Sequence, residues 1–378
     1  MTSVKYFHSE LPDAPVLSGT AGSRIAVLDA CLVNGWGLIT AASVSVAGGV
    51  ATATFTAGHS FEPLSVIQVA GAGVPAINGE QRVTTTASLS ISWPAPGVAD
   101  GPVSGTITIK LAPAGWVKLA GANKAAYKSG NGSASQCWAR IDDTAPRWAR
   151  LRAFDAMTDV DTGTGPTPSD AQQSGGLYIA GSDTASSAAR KWIVVATDKA
   201  VIFLVAHYNN TDYAPSFFGD FPSLKSGDAY NFVVSGDPSD NSQYPYVGYL
   251  PLAMHDSTGG VYIVRSYTQV GASIPGTLRK PGLLVVSGGS GLPVGPNPIN
   301  NSLELCPTLL YELTGTSANR RGGIPGVYGI PHALGAGYGN KTTLTAPLGL
   351  PGRTLLFVQF YSGGGGGRYA IDITGPWE

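Results

Sequence analysis

The 378-residue chain is only 12% charged, yet it holds 51 glycines and 27 prolines, with a formal net charge of −1 and a pI near 6.5. Ordinary soluble domains carry about 25% charged residues and about 7% glycine, so much of this surface is expected to lie against other subunits rather than water. Near-neutrality argues against a nucleic-acid partner, because phosphate contacts demand a basic patch. The absence of any long apolar run argues against membrane insertion.

The length fits two or three domains at roughly 150 residues each. Cys31, Cys137 and Cys306 are odd in number and far apart, which reads as reduced buried thiols rather than a disulfide framework. The first ten residues have no apolar h-region, so no secretory signal is expected.

Along the chain, residues 1–40 read as an extended segment followed by a short amphipathic helix. Pro12 and Pro15 oppose a helix at the start. Ile25, Leu28 and Leu32 then share a face with Val27 and Cys31 beside them, Ser23 or Thr20 is placed to cap the start, and Asn34-Gly35 closes the end. Residues 41–112 change character. Six short Val/Ser/Thr-rich strands, with Gly48-Gly49 and Asn78-Gly79 as tight turns, predict a small inserted β module of sandwich or barrel type.

Residues 113–300 read as a larger β domain. Lys191–Ala196 and Ala200–Ala206 are nearly continuous apolar runs joined by Thr197-Asp198-Lys199, a hairpin buried on both faces. Tyr230–Ser235, Val261–Tyr267 and Leu283–Ser287 add strands, and residues 161–176 form a long loop. Residues 301–378 form a C-terminal β section packed on that domain, closing with a hairpin of Thr354–Tyr361 and Arg368–Ile373. The fold class is therefore mainly β, with two or more sandwich- or barrel-like domains and one short N-terminal amphipathic helix.

No motif carries catalytic, cofactor or metal chemistry convincingly. Gly335 to Lys341-Thr342 resembles a phosphate loop, but Asn340 replaces the glycine before the lysine, and Pro347 and Pro351 forbid the helix that should follow. Asp159, Asp161 and Asp170 fall at calcium-loop positions. However, Gly163 takes the fifth position, Thr164 stands where the turn glycine belongs, and no glutamate closes the loop. Turn-forming aspartates on a solvated loop read better.

The five histidines, His8, His59, His207, His255 and His332, are isolated, so no zinc spacing arises. Gly288-Gly-Ser290-Gly-Leu292 lacks the last glycine of a nucleophile elbow, and few glutamates are present for paired-carboxylate chemistry. Trp138 and Trp148 flank a basic stretch, read first as core and interface aromatics and second as a sugar-stacking surface.

One further pattern points to a family. Val4–His8, Ala14–Thr20 and Leu28–Gly35 open the chain; Gly58–Phe61 and Ile77–Glu80 follow in the inserted module. Met157–Pro166, Phe218–Phe221 with Ser226–Tyr230, and Asp372–Trp377 complete the order. Across essentially its whole length the chain resembles structural proteins of tailed bacteriophage and prophage virions. The resemblance implies a virion protein, made in the host cytoplasm, whose partners are copies of itself and other virion proteins. The expected place is the tail (baseplate, tip or fibre-attachment region). A capsid decoration protein and a tail adhesin that binds host-surface glycan are the alternatives. The resemblance carries over no catalytic residue, and from the missing motifs no enzyme activity, cofactor or metal is expected.

Overall fold

A computed structural model describes residues 3–208, 211–239, 250–253, 259–281, 297–299, 302–331, 339–347, 349–360 and 367–377. The chain is mainly β, built from several antiparallel sheets and one short helix, with no closed barrel among the described residues.

The helix spans Ser23–Asp29 and runs on into a π-helical turn, Ala30–Asn34. Its apolar stripe is buried as the spacing predicted: Ile25, Val27, Leu28, Cys31 and Leu32 all lie in the core. The predicted cap is not the one used. Gly22 occupies the cap position with φ +81 and offers no side chain, while Ser23 Oγ donates to the Ser18 carbonyl at 2.8 Å. The acceptor comes from 119 residues away. Asp143 Oδ2 takes the Arg24 amide at 2.9 Å and the Ile25 amide at 3.4 Å, and Oδ1 pairs with the Arg24 guanidinium. A helix start buried beneath a sheet cannot borrow water for its free amides, so an anion brought by the sheet satisfies them. The C-terminus ends as expected at Gly35, with φ +65. There, too, a Cβ would stand 2.0 Å from the Leu111 carbonyl oxygen.

Strands from Ile39 to Leu111 pair only with one another, in a four-stranded and a five-stranded sheet. Gly48 and Gly49 both take positive φ (56° and 75°), joining Ser43–Ala47 to Val50–Thr54 with Ala47 opposite Val50, the geometry of a two-residue hairpin. Along these strands burial alternates, and Val44, Val46, Ala51, Ala53, Ile91 and Trp93 of one sheet share a core with Ile67, Val69, Ile109 and Leu111 of the other. This is a small sandwich. Asn78-Gly79 is not the predicted hairpin turn. Asn78 is extended (φ −72, ψ 157), and its amide side chain bonds both the N–H and the C=O of Ala72 at 2.9 and 2.8 Å, replacing a turn made by backbone.

The remaining strands form two further large sheets and a two-stranded one, Ala156–Met157 with Gly163–Thr164. The five-stranded one comprises Trp116–Gly121, Lys124–Ser129, Trp138–Asp142, Trp148–Phe154 and Leu177–Ala180. The twelve-stranded one starts with Lys5–His8 at its edge and proceeds through the buried hairpin Lys191–Ala196 and Ala200–Ala206. It continues unbroken from the 113–300 region into residues 301–378 and ends at Thr343–Thr345 beyond the C-terminal hairpin, Thr354–Gln359 with Arg368–Asp372. The predicted strand Leu283–Ser287 lies outside the described residues.

Ionic joints fasten these units. Arg82 of the sandwich donates to the carbonyls of Leu64, Val4 and Thr374 at 3.0–3.1 Å. Glu80 pairs with Lys5 at 2.7 Å, and Glu62 with His8 at 2.7 Å. Deeper in the large sheet, fully buried Arg321 reaches Asp228 at 2.6 Å and Glu312 at 2.9 Å.

Removing one partner of a buried pair strands the other charge, at a cost of about 3–5 kcal/mol. Asp143→Ala is expected to lower stability by about that amount, measured by denaturant unfolding, while the double change Arg24→Met with Asp143→Leu recovers most of it.

Candidate functional site

The three units meet around the turn Thr197-Asp198-Lys199. Thr197 Oγ1 accepts the amides of Lys199 and Ala200, each at 3.1 Å, and the Thr197 carbonyl accepts the Trp116 indole at 2.8 Å. The turn is therefore fixed to the first strand of the five-stranded sheet. Asp198 lines two adjoining cavities. One, of about 260 Å³, is bounded by Ser133, Lys199, Asp220, Asn231 and Trp377, with Phe221, Pro325 and Pro376 as apolar wall. The other, of about 510 Å³, is bounded by Lys5, Glu80, Gly115, Gly130 and Asn131. Together they form a cleft running from the sandwich joint to the C-terminal segment.

The polar groups of the cleft are held in place. Asp198 Oδ2 accepts the Asn131 amide at 2.7 Å. Its Oδ1 is buried and meets no donor among the described residues. Asp220, at the end of strand Ala214–Asp220, accepts Ser135 N at 2.9 Å and Ser135 Oγ at 2.6 Å. Burial, and more weakly the charge of Asp198, push the Asp220 carboxyl up, against the pull of the Ser135 bonds. Trp377 donates its indole N–H to the Asp372 carbonyl at 2.9 Å. Its ring lies so close to Gly326 that a Cβ there would stand 2.4 Å from it. Asp372 in turn accepts the amides of Thr374 and Gly375 at 3.0 and 2.9 Å and pairs with Arg353 at 2.6 Å, which sets the path of the tail carrying the tryptophan.

The aspartates at the calcium-loop positions are committed elsewhere. The loop after Phe154 folds as a strap over the outer face of the five-stranded sheet. There Asp161 pairs with Lys124 at 2.9 Å and Arg140 at 2.8 Å, Asp170 pairs with Arg152 at 3.0 Å, and Asp159 accepts the Asp161 amide at 2.8 Å. Side-chain cations of the sheet thus engage the aspartates of this loop, and no group of three metal-ligating side chains occurs among the described residues. The same face interleaves cations with rings: Lys128 sits 5.0 Å from the centre of the Trp138 ring, and Arg150 sits 3.7 Å from that of Tyr178.

Lys341 of the phosphate-loop pattern is bound to Glu10 at 2.6 Å and precedes a strand, not a helix; Gly335 lies outside the described residues, as do His255, His332 and Ser290. His8 is paired with Glu62, and His59 Nε2 contacts the Ala87 carbonyl at 2.8 Å. His207 is buried, and that burial pushes its imidazole down to about 4. The three cysteines are free and buried, with burial raising each thiol, Cys137 to about 12.

No protein-family description and no curated protein matches the chain. Among solved structures it is similar to the phage phi92 endosialidase, at 9% identity and a TM-score of 0.17, over 89% of this chain and 52% of that one. The chain thus spans about half the length of that neighbour. So low a TM-score shares no fold from which residue roles could transfer. No helix among the described residues is long and apolar enough to cross a membrane.

Sequence reasoning named Trp138, Trp148 and the three aspartates, none of which lines the cleft. Asp198 is legible in the sequence only as a turn residue, and Asp220 and Trp377 only as members of the family pattern. Nothing in their spacing foretold that the three would meet.

Two expectations follow. With Asp161 and Asp170 already engaged by cations, added calcium or EDTA should leave the thermal midpoint unchanged; a calcium-dependent rise would reinstate the loop as a site. The second concerns acid. His207 has a lower pKa folded than unfolded, so the unfolded chain binds more protons and stability falls as pH drops from about 6.5 toward 4. Glu10, held down to about 2 by Lys191 and Lys341, contributes stability above about pH 4.5 that is lost as pH falls through 2. The exposure of Glu10 keeps its share small. Unfolding curves across pH 7 to 3 for the chain and for His207→Gln should show the first loss flattened in the variant.

Proposed function

We propose that the chain is a structural subunit of a tailed-phage virion, tail-associated at the baseplate, tip or fibre-attachment region, acting by assembly and surface presentation. One observation carries this reading: most of the segments that bear the virion-protein resemblance supply contacts that fasten one sheet, helix or strap to another. Val4–His8 is the edge strand that receives Arg82, Glu80 and Glu62. Leu28–Gly35 is the buried end of the helix, where Asp29 holds Lys118 at 2.5 Å and Tyr127 at 2.8 Å. Phe218–Phe221 supplies Asp220 to Ser135 across sheets, and Ser226–Tyr230 supplies Asp228 to Arg321 within the twelve-stranded sheet. Met157–Pro166 holds the strap on its sheet through Asp161, and Asp372–Trp377 closes onto Arg82 through the Thr374 carbonyl.

A sequence pattern spent on such joints specifies a rigid body of fixed outline, which is what a symmetric particle requires of its subunits. The low charge supports the same reading, as do exposed apolar side chains such as Leu38, Val270 and Ile299, which would be covered by neighbours.

Quantitative mass spectrometry of purified virions tests the proposal. A tail component should appear in about a few to a few dozen copies per particle, and light scattering should find the isolated chain oligomeric or recruited onto a partner ring. Copy number matching the major capsid protein would make it a decoration protein, and absence from the particle would refute the role.

A further inference from the structure

The cleft at the Thr197-Asp198-Lys199 turn has a second consequence, independent of any role in assembly. One wall is aromatic and fixed. Trp377 has its N–H satisfied by Asp372 and one face packed on Gly326, so it presents to the 260 Å³ cavity a ring with no polar demand of its own. Pro325, Pro376 and Phe221 extend that apolar wall. The rest of the lining accepts hydrogen bonds. Asp198 Oδ1 is a buried carboxylate oxygen without a donor among the described residues, and leaving such an atom unsatisfied costs about 1–3 kcal/mol or more. Asp220 keeps lone pairs beyond those given to Ser135.

A ligand that suits both parts of the lining has a flat apolar face and, at its edge, hydroxyl donors. It should carry no negative charge, because its seat holds two carboxylates, Asp198 and Asp220, against one ammonium, Lys199. Pockets of this kind favour the meeting point of structural units. We propose that this cleft binds a neutral pyranose sugar, its ring face against Trp377 and its hydroxyls donating to Asp198 and Asp220, with the adjoining 510 Å³ cavity taking the next residue of an oligosaccharide.

The test is saturation-transfer NMR and calorimetry on the full chain with maltotetraose, mannotriose and chitotetraose, using polysialic acid as the acidic control. Each is run with calcium and with EDTA. At least one neutral oligosaccharide should bind at millimolar Kd or tighter, independently of calcium, and polysialic acid should not. Asp198→Asn should weaken binding about tenfold or more, the equivalent of one charge-assisted hydrogen bond, with an unchanged thermal midpoint. Trp377→Leu should weaken it comparably; if that variant does not fold, Asp198→Asn decides. Absence of neutral-sugar binding, equal binding by Asp198→Asn, or preference for the acidic polymer would overturn the proposal. So would a calcium-binding signal lost in Asp198→Asn without any sugar dependence, which would make the cleft a cation site. Absence of the chain from virions would overturn the assembly role and leave this result untouched.

Discussion

Two charges with no exposed side-chain surface, Arg24 and Asp143, sit where the helix meets the five-stranded sheet. Desolvating them costs several kcal/mol per ion, and their mutual attraction offsets this only if the remaining hydrogen-bonding capacity is used. Much of it is. Asp143 accepts two helix amides as well as the guanidinium, and Arg24 also donates to the carbonyls of Ala145 and Trp148 at 2.7 and 3.2 Å. Burial still pushes the Asp143 carboxyl up to about 6 against the pull of Arg24. The helix that this pair anchors is a common seat. Cys31 and Leu32 carbonyls accept the amides of Ala114 and Gly115 at the entry to the five-stranded sheet, and the Trp36 carbonyl accepts Leu111 at the exit from the sandwich. If the helix start moved, both neighbours would lose their register.

The same logic explains the odd composition. A chain so poor in charge might be expected to keep its charges outside for solubility, yet Lys5, Arg24, Asp143, Asp220, Glu312, Arg321 and Asp372 are all buried. Some are placed where one unit meets another, as Lys5 meets Glu80 and Asp220 meets Ser135, and others, as Arg321 with Glu312 and Arg353 with Asp372, fasten neighbouring segments of the large sheet. Apolar faces alone would allow sliding, because hydrophobic contact is non-directional. A fork such as Arg321 between Asp228 and Glu312, or Arg82 among three carbonyls, admits one arrangement. Spending charges on joints leaves still fewer on the surface, and so deepens the need for partners to cover it.

The cleft is a by-product of that construction. Three units do not close completely where they converge, and the gap falls at the Thr197–Lys199 turn of the large sheet and the path of the C-terminal tail. The residues lining it come from widely separated stretches of chain.

The sequence by itself determined what depends on near neighbours. Two positive-φ glycines fixed the Gly48-Gly49 hairpin, period-two Val and Ala fixed the sandwich strands, and the Ile25–Leu32 stripe fixed the helix. The two apolar runs around Thr197–Lys199 fixed the central hairpin. Where a local group was available but a distant one bound better, local reasoning failed: Thr20 and Ser23 yielded the helix cap to Asp143, and the Asn78 side chain replaced a backbone turn. The strap aspartates found Lys124, Arg140 and Arg152 instead of a metal, because fixed cations lay beneath them. Which sheet each strand joined, and that Asp198, Asp220 and Trp377 line one cleft, were settled only by tertiary packing. Those choices depend on which buried charges find partners across long sequence separations, and no local pattern encodes that.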